Sequence, residues 1–455
     1  MWTFIQKDDV ETFLNKYPHL AEGFENIKLY ETEDNIFLPR LFYKNFPNGI
    51  KVFESRETPK FEPTFFKFIG KLRPEQIDIV QTAINMYNEN HGQINGIIKA
   101  RPGLGKTVLS TFIAAQLGLK TCIIIDNENL MNQWIDAFLT FTDLKAEEIG
   151  LIKGKHFVID KPVIIATVQT LLSKIKTDMH KNFGLMDTAR IGLVIYDEVH
   201  NTSSSSKFAK ASLLFRTKNF LGLSATPFQS GTAEILMKNT IGEIIYETKH
   251  YELKPTYILN HYDSGLTGKY AFVLGKMSDY IKRKAFYNSI IVRSSNYLNL
   301  IIKLIRKRLN EGHIILVLCF TKAQVKLISE RLDKEGIDHR RFYGDEKDEI
   351  DKNNVNVLIG TYAYIGKGFD FQQLSSLILA TNLAGKKSLI QVVGRILREG
   401  DKNKKAPIVD DLIDRGFPSL FLPDMKSKKS VIKGEFNCEI IDVVEDQEIQ
   451  EGEII

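Results

Sequence analysis

The stretch Ala100-Arg-Pro-Gly-Leu-Gly-Lys-Thr107 lies between two apolar runs, residues 96–100 and 108–115. This order predicts a strand, a glycine-rich loop and a helix, which together point backbone N–H groups and a positive helix dipole at an anion. Gly103 and Gly105 would line a bound phosphate, Lys106 would reach the β- and γ-phosphates, and the Thr107 hydroxyl would bind Mg²⁺. Ala100 stands where the strict pattern has glycine, so an ordinary glycine turn also fits.

Further short apolar runs follow this loop and are separated by helical patterns. They cover residues 121–125, 163–167, 191–196 and 221–224. Such strands are typical of a parallel sheet with helices on both faces, whose functional loops follow the carboxyl ends of the strands. A second series without a glycine–lysine loop covers residues 314–320, 356–360, 377–380 and 408–413. We therefore predict an α/β fold with two parallel-sheet lobes, of which the first binds the nucleotide.

Two acidic residues, Asp197 and Glu198, directly follow the predicted strand at residues 191–196. The first of them lies 91 residues after Lys106. Asp197 would hold Mg²⁺ directly or through water, and Glu198 would orient or deprotonate the attacking water. A solvated loop is the alternative for an isolated Asp-Glu pair. Three hydroxyl side chains also end or follow predicted strands: Thr167, Ser224 and Thr226.

The second series of strands carries two dense clusters of polar residues. One follows the run at residues 356–360 and contains Thr361, Gly366, Gly368 and Asp370. The other, Gln391-Val-Val-Gly394-Arg395-Ile-Leu-Arg398, lies on a predicted helix, where its two arginines share one face. Paired arginines on a helix usually lie at the surface. A lobe without its own nucleotide could instead supply them as arginine fingers, which are worth about 10³–10⁵ in rate.

The first 66 residues are rich in aromatic side chains. Within them, the runs 38–46 and 50–56 flank Pro47-Asn48-Gly49, and Asn-Gly between two β-rich runs predicts a hairpin. This hairpin, residues 38–56, would carry Arg40, Lys44 and Lys51 among phenylalanine and tyrosine rings, a mixture that suits a nucleic-acid strand. A small half-buried sheet with a solvated basic face explains the same residues.

Composition excludes several classes of protein. The apolar fraction is 43% and the charged fraction 26%, and no apolar run approaches the roughly 18 residues of a membrane helix. The three cysteines, Cys122, Cys319 and Cys438, are too few and too scattered for a disulfide framework or a zinc site. We therefore expect a reducing, cytoplasmic compartment and no membrane partner.

The net charge of +5 is unevenly distributed. Residues 434–455 carry eight acids and no Lys or Arg, and residues 1–66 carry eleven acids against eight bases, which leaves +16 on residues 67–433. A basic central region favours a polyanionic partner. Much of the excess lies in residues 278–310, predicted as basic helices with either a solvated face or a contact to that partner. The acidic tail either adds a β segment at residues 437–444 or is disordered, and either binds a partner protein or masks a basic groove.

These clusters, in order over residues 70–415, resemble the motifs of the superfamily 2 helicases and translocases. The Arg-Pro-x-Gln start of a predicted helix, with Arg73 and Gln76, resembles the family's adenine-reading motif, and the phosphate loop resembles motif I, where alanine at the first position is common. Residues 126–134 resemble motif Ia without its usual proline, and Trp134 at their end is interpreted as a core residue. Asp197-Glu-Val-His200 resembles the DExH box, and Ser224-Ala-Thr226 resembles motif III. Thr361, Gly366, Gly368 and Asp370 resemble motif V, and residues 391–398 resemble motif VI.

The resemblance implies two RecA-like lobes of the P-loop NTPase class, with ATP and Mg²⁺ as cofactors in the cleft between them. Gln391, Arg395 and Arg398 would complete the site from the second lobe, and His200 would couple the cleft to that lobe through Gln391. Gly368 and Asp370 would also contact the nucleotide. Side chains expected to couple hydrolysis to strand movement or to touch nucleic acid are Thr167, Ser224, Thr226 and Thr361.

Within the superfamily, the chain looks most like phage branch-migration helicases of the UvsW type. We therefore predict a monomeric DNA helicase or translocase that acts on forks and junctions along a single-stranded tracking strand. An RNA helicase or a duplex translocase is the alternative of the same class. A nucleic-acid-binding regulator that only senses ATP is the alternative of another class. The predicted parts are an α+β N-terminal domain (1–66), a first lobe (67–248), a connector (249–290), a second lobe (291–433) and an acidic tail (434–455).

Overall fold

The chain folds into two units, Met1–Thr248 and Lys249–Ile455. The computed structural model describes residues 2–46, 50–53, 63–126, 128–173, 188–199, 202–225, 232–248, 253–277, 279–343, 346–347, 355–362, 371, 373–383, 385–397 and 404–444. Among these residues, no helix combines the length and the apolar character needed to cross a bilayer.

The first unit begins with a small antiparallel sheet. Its strands are β1 (Trp2–Gln6), β2 (Tyr30–Glu31), β3 (Asn35–Leu38) and β4 (Lys51–Phe53), in the order β2-β3-β1-β4. Its helices are α1 (Val10–Lys16), α2 (Phe24–Ile27) and α3 (Phe42–Asn45), with 3₁₀ turns at Lys7–Asp9 and Pro18–Gly23. This is the predicted α+β N-terminal segment.

The hairpin predicted at residues 38–56 is wrong. Strand β1 lies between β3 and β4 and pairs antiparallel with both, so the two predicted hairpin strands do not pair with each other. Part of the first predicted strand is helix α3. Helical spacing puts Phe42 and Phe46 on one face, with their ring centroids 4.5 Å apart, and both rings lie against Phe13. The burial of Phe42, and the packing of the partly buried Phe46 against the same core, therefore outweigh the Asn-Gly signal.

Within the described residues, the main sheet of the first unit has eight strands. They are β5 (Asn95–Lys99), β6 (Thr121–Ile125), β7 (Ile149–Lys153), β8 (His156–Phe157), β9 (Val163–Thr167), β10 (Leu193–Asp197), β11 (Phe220–Ser224) and β12 (Ile244–Glu247). Their order is β12-β5-β11-β10-β6-β9-β7-β8, and every pair except β7–β8 is parallel. The predicted parallel sheet is confirmed.

Helices cover both faces of this sheet. They are α4 (Pro74–Glu89), α5 (Lys106–Leu117), α6 (Asn129–Phe141), α7 (Thr202–Ala211) and α8 (Thr232–Thr240), with 3₁₀ turns at Ala146–Glu148 and Ser212–Leu214. Successive residues of one strand point to opposite faces: Cys122 and Ile124 belong to one core, and Ile123 and Ile125 to the other. Burial on both faces explains why these strands are continuous apolar runs. The N-terminal sheet packs into the core that holds Cys122.

Arg40 joins the N-terminal sheet to the main sheet. Its side chain is only 5% exposed, and Nη1 donates to Oδ1 of Asn95 at 2.7 Å while Nη2 donates to the Lys218 carbonyl at 3.2 Å. The guanidinium also lies 4.2 Å from the ring centroid of Phe220. Burial lowers the Arg40 pKa to about 10, so the group is still a cation at neutral pH. The predicted contact of Arg40 with nucleic acid is therefore wrong, because its donors are used inside the fold.

Lys44 and Lys51, the other two cations of that prediction, are exposed, and Lys51 donates to Gln6. Their contact with nucleic acid stays a prediction.

Replacing Arg40 with methionine is expected to destabilise the first unit by about 2–4 kcal/mol, because the acceptors it serves would stay buried without their donor. Urea unfolding of the full chain measures this loss. Lys44→Met is the matched control at an exposed position and should change stability by less than about 0.5 kcal/mol. Equal stabilities of the two variants would contradict the anchoring role.

The second unit has its own sheet, with eight strands in the part of the chain that the structure describes. Its strands are β13 (Thr256–Tyr262), β14 (Ile315–Cys319), β15 (Arg340–Tyr343), β16 (Glu346–Lys347), β17 (Val357–Thr361), β18 (Ser376–Leu379), β19 (Ile408–Asp414) and β20 (Ile440–Val444). Their order is β16-β15-β17-β14-β18-β19-β13-β20, with only β15–β16 antiparallel. The helices are α9 (Thr267–Gly275), α10 (Tyr280–Ile290), α11 (Ser295–Asn310), α12 (Lys322–Lys334), α13 (Lys386–Ile396) and α14 (Pro418–Val431), with a 3₁₀ turn at Ile291–Arg293 and a π-helical turn at Ile432–Phe436.

The predicted connector and acidic tail both contribute strands to this sheet. Strand β13, from the connector, lies between β19 and β20, and its Tyr257 and Leu259 are fully buried. Of the two alternatives for the tail, the β segment is observed at Ile440–Val444. Asp442 in this strand accepts from His261 at 2.8 Å and pairs with Lys429 at 3.1 Å. The connector is thus part of the second unit rather than a separate linker.

Candidate nucleotide-binding site

The glycine-rich loop connects β5 to α5, as its sequence predicts. Gly103 and Gly105 have φ angles of 85° and 80°, a region that L side chains rarely adopt. A Cβ added to Gly105 would lie 2.7 Å from Nε2 of Gln76, so glycine is needed there for space as well. Successive backbone groups in such a loop form a concavity that binds anions, and α5 adds its positive dipole end.

The start of α4 is tied to this loop by Arg73 and Gln76. Gln76 accepts from the backbone N–H of Arg73 at 2.8 Å and donates to the carbonyl of Leu104 at 2.8 Å. Nη2 of Arg73 donates to the carbonyl of Gly103 at 2.9 Å. The Gln76 amide is buried and spans the helix start and the loop. It therefore forms part of the wall behind the loop, and its predicted contact with adenine stays a prediction.

The two acids after β10 lie beside the loop. Asp197 is the last residue of β10 and is nearly buried, and Oε1 of Glu198 is 3.3 Å from Nζ of Lys106. Glu198 has a φ of 55°, which is uncommon for a residue with a side chain and is typical of strained functional sites. Asp197 and Glu198, which follow Lys106 by 91 and 92 positions in the chain, thus lie close to it at the carboxyl edge of the sheet.

Burial has the largest effect on the pKa of the Asp197 carboxyl. It raises the pKa of this carboxyl to about 6, and the nearby charge of Glu198 adds to the increase. Lys106 and a hydrogen bond from Trp134 act in the opposite direction. Nε1 of Trp134 donates to Oδ2 of Asp197 at 2.8 Å. A second cation near the carboxylate would therefore be favourable, since it would stabilise the charged form.

The residues present fit a nucleotide and Mg²⁺. The loop leaves a space at Gly105 that a side chain would fill. Lys106 forms an ion pair with Glu198 beside the loop. Thr107 and Asp197 offer a hydroxyl and a carboxylate, which are the oxygen ligands that Mg²⁺ prefers. These two residues are the candidate metal ligands.

Two predicted coupling residues lie at the same edge of the first sheet. Thr167 ends β9, is nearly buried and shares a hydrogen bond of 2.8 Å with the hydroxyl of Thr170. Ser224 ends β11 and is fully buried, and its carbonyl accepts from the N–H of Ala100 at the start of the loop. His200 and Thr226 lie outside the described residues.

The second unit presents its predicted residues on β17 and α13. Thr361 ends β17, and the hydroxyl of the next residue, Tyr362, donates to Ser388 on α13 at 2.8 Å. Gln391 is half-buried and Arg395 is 8% exposed on the same helix. Burial raises the pKa of Tyr362, and the charge of Arg395 opposes this increase. The strand end and the helix therefore come together within this unit. Gly366, Gly368, Asp370 and Arg398 lie outside the described residues.

Among the described residues, Trp134 has a role at the site that the sequence does not predict. The sequence predicts a core residue, and its ring is indeed fully buried. The available signal was the indole N–H itself, since a buried tryptophan usually needs a hydrogen-bond partner.

Comparison with known proteins gives one family and several helicases. Residues 69–229 match the family model "Type III restriction enzyme, res subunit". The putative helicase 161L of Invertebrate iridescent virus 6 is 28% identical and covers 84% of this chain and of that protein. The putative ATP-dependent RNA helicase L396 of Acanthamoeba polyphaga mimivirus is 25% identical over 76% of this chain and 65% of its own length. A putative DNA 3'-5' helicase Rad25 of Halobacterium salinarum is 29% identical over 43% of this chain and 30% of its own length.

A solved structure supports the fold. The chain of Saccharomyces cerevisiae Dbp5 bound to RNA and ADP BeF3 aligns with a TM-score of 0.56 and 14% identity, covering 82% of this chain and 94% of that one. At this identity the likeness concerns the RecA-like fold. Relatives named as helicases align with most of this chain, and the phosphate loop and its acids meet in the fold; together these findings support an ATP-hydrolysing helicase of superfamily 2.

Proposed function

We propose that this chain is an ATP-driven DNA helicase or translocase that unwinds or branch-migrates forked and junction DNA in replication, recombination or repair. The observation that carries the proposal is the meeting of Lys106 with Glu198 beside Asp197 at one edge of a parallel sheet. This is an arrangement for phosphoryl transfer to water, in which positioning and charge supply most of the catalysis.

Each residue of the first unit has a distinct task in this reaction. Lys106 leaves Glu198 and pairs with the β- and γ-phosphates of ATP. Glu198, released from that ion pair, orients the attacking water and accepts its proton. Thr107 and Asp197 would hold Mg²⁺, which when bound neutralises charge on the phosphate oxygens. Arg73 and Gln76 support the loop from behind and, by the family resemblance, contact adenine.

Residues of the second unit are assigned to the same reaction by the family resemblance. Gln391, Arg395 and Arg398 would stabilise the transferred phosphoryl group, with Gly368 and Asp370 near the nucleotide. His200, Thr226, Ser224, Thr167 and Thr361 would couple hydrolysis to movement along a strand.

Nucleic acid is the polyanionic partner that the basic centre of the chain favours. The charge of +16 on residues 67–433 supports phosphate contacts, which are tolerant of sequence and sensitive to salt. The choice of DNA rests on the relative that is named a DNA 3'-5' helicase, and on motifs that look like those of recombination enzymes. The acidic tail is a candidate surface for a partner protein, and we expect a monomer.

An RNA helicase is the second candidate, because one relative that covers 76% of this chain is named as such. A regulator that only senses ATP fits less well, since Lys106 and Glu198 are both present and in contact. Hydrolysis and strand displacement on forks, four-way junctions and RNA duplexes, measured side by side, separate these candidates. Stimulation by RNA alone would contradict the DNA proposal.

Lys106→Ala is expected to reduce nucleic-acid-stimulated ATP hydrolysis by at least about 10²–10³-fold, because it removes the cation that meets the charge of the transferring phosphate. Steady-state phosphate release measures the loss. Lys145→Ala, at an exposed position of the same unit, is the control and should hydrolyse ATP normally. Unchanged hydrolysis in the Lys106 variant would contradict the assigned site.

A further inference from the structure

The indole of Trp134 makes a hydrogen bond that core packing does not require. Trp134 lies in the middle of α6 and is fully buried, among apolar side chains such as Met131 and Phe138. Its Nε1 is 2.8 Å from Oδ2 of Asp197, 63 residues further along the chain. An apolar ring would fill the same space without an N–H group that must find a partner.

The partner is a carboxylate, and this changes the strength of the bond. Hydrogen bonds to an ionised acceptor are about twice as strong as neutral ones. A carboxylate has about four lone-pair sites on its two oxygens, so one N–H leaves Asp197 able to bind other groups. The indole therefore restricts the rotation of this carboxylate without blocking it.

The topology makes the indole a rigid support. Helix α6 follows β6, and β6 is the hydrogen-bonded neighbour of β10, with Ile124 paired to Tyr196. A helix that packs over β6 can thus reach the carboxyl end of β10, where Asp197 lies. The ring of Phe138, with its centroid 6.2 Å from that of Trp134, packs beside the indole from the same helix.

We propose that Trp134 is a positioning residue for Mg²⁺ binding, holding the Asp197 carboxylate in the orientation in which it contributes to the metal site. The proposal rests on the proposed ATPase function. Groups that orient metal-binding carboxylates typically change metal affinity by about 10–100-fold when they are removed. Trp134 does not touch the nucleotide or the metal in this scheme and acts only through Asp197.

The test is the Mg²⁺ dependence of nucleotide binding by the full-length Trp134→Phe variant, which keeps a ring and loses the N–H. Binding of a fluorescent ADP analogue is measured in a Mg²⁺ titration and again in EDTA. The Mg²⁺ concentration at half-saturation should rise by roughly 10-fold or more, while affinity in EDTA stays that of the wild type. Phe138→Leu, which disturbs the same core without touching Asp197, should leave the Mg²⁺ dependence unchanged.

A second measurement needs no hydrolysis, and its main readout uses the wild-type protein. The chain has two tryptophans, so ¹⁵N-labelled wild-type protein should give two indole N–H resonances. The one from Trp134 should be shifted downfield by its carboxylate partner, and it should move when Mg²⁺ and ADP are added. Asp197→Asn should return it toward the ordinary position.

The outcomes separate this inference from the function on which it rests. Wild-type protein that shows no Mg²⁺-dependent nucleotide binding would overturn both. Normal binding in the wild type, with the same Mg²⁺ dependence in Trp134→Phe or with an ordinary indole resonance, would overturn the positioning role alone. If Trp134→Phe loses the same nucleotide affinity with Mg²⁺ and in EDTA, Trp134 serves only for packing, and the positioning role is overturned as well.

Discussion

Glu198→Gln is expected to lower the rate of ATP hydrolysis by about 10²–10⁴-fold, the usual contribution of a general base. Glutamine keeps the shape of the side chain and the backbone conformation at φ 55°, but it cannot take a proton from water. The substitution also removes the charge that pairs with Lys106 at 3.3 Å. The lysine is then free to bind phosphate, so the affinity for ATP should be equal to that of the wild type or higher.

Single-turnover hydrolysis and equilibrium ATP binding measure these two effects separately. Glu247→Gln is the matched control, since Glu247 also pairs with a lysine, Lys99, at the end of a strand of the same sheet. It should hydrolyse ATP normally. Hydrolysis that survives in Glu198→Gln would contradict the role assigned to this acid. Loss of ATP binding would indicate a structural role instead.

Arg308→Met is expected to destabilise the second unit by about 3–5 kcal/mol, the usual effect of removing one partner of a buried ion pair. Arg308 on α11 is 2% exposed and makes two hydrogen bonds of 2.7 Å to Asp410 on β19, which is fully buried. Asp410 also accepts from Asn260 on β13 at 3.1 Å. Without the arginine, a charged carboxylate would be left inside the sheet layer with only an amide partner.

Native-state hydrogen exchange of the amides in β14 and β19 reports the stability of this unit within the full chain. Lys307→Met, one residue away and exposed, is the control and should change stability by less than about 0.5 kcal/mol. The double variant Arg308→Met with Asp410→Leu should recover part of the loss, because it leaves no unpaired charge. Equal protection in the Arg308 and Lys307 variants would contradict the buried ion pair.

Arg308 also illustrates what a charge pattern does not reveal. In the sequence it belongs to a run of cations at residues 278–310, for which a solvated face and a nucleic-acid contact were both open. In the structure, Arg308 lies neither on a solvated face nor at a surface that could contact nucleic acid, because it is buried. Its neighbours Arg306 and Lys307 are exposed, whereas its own position on α11 faces β19.

The N-terminal segment also shows that a short sequence pattern does not predict contacts with distant parts of the chain. Asn-Gly between two β-rich runs favours a hairpin, but β1, more than 30 residues earlier in the chain, takes the place between the two strands. Arg40 then enters the main sheet instead of solvent. Neither the position of β1 nor the burial of Arg40 can be predicted from residues 38–56 alone.

The phosphate loop, the acids beside it and the two series of parallel strands could all be predicted from the order of residues. These follow from local patterns: glycines at left-handed positions, apolar runs of strand length, and polar residues directly after them. The rule that parallel strands end at one edge then brings Lys106 and Glu198 together. The partners of Arg40, Trp134 and Arg308 could not be predicted in this way, because they are brought together by the three-dimensional fold. Their partners are Asn95, Asp197 and Asp410, at separations of 55, 63 and 102 residues. A buried polar group is paired by whatever the fold brings to it, and no periodicity in the chain encodes that partner.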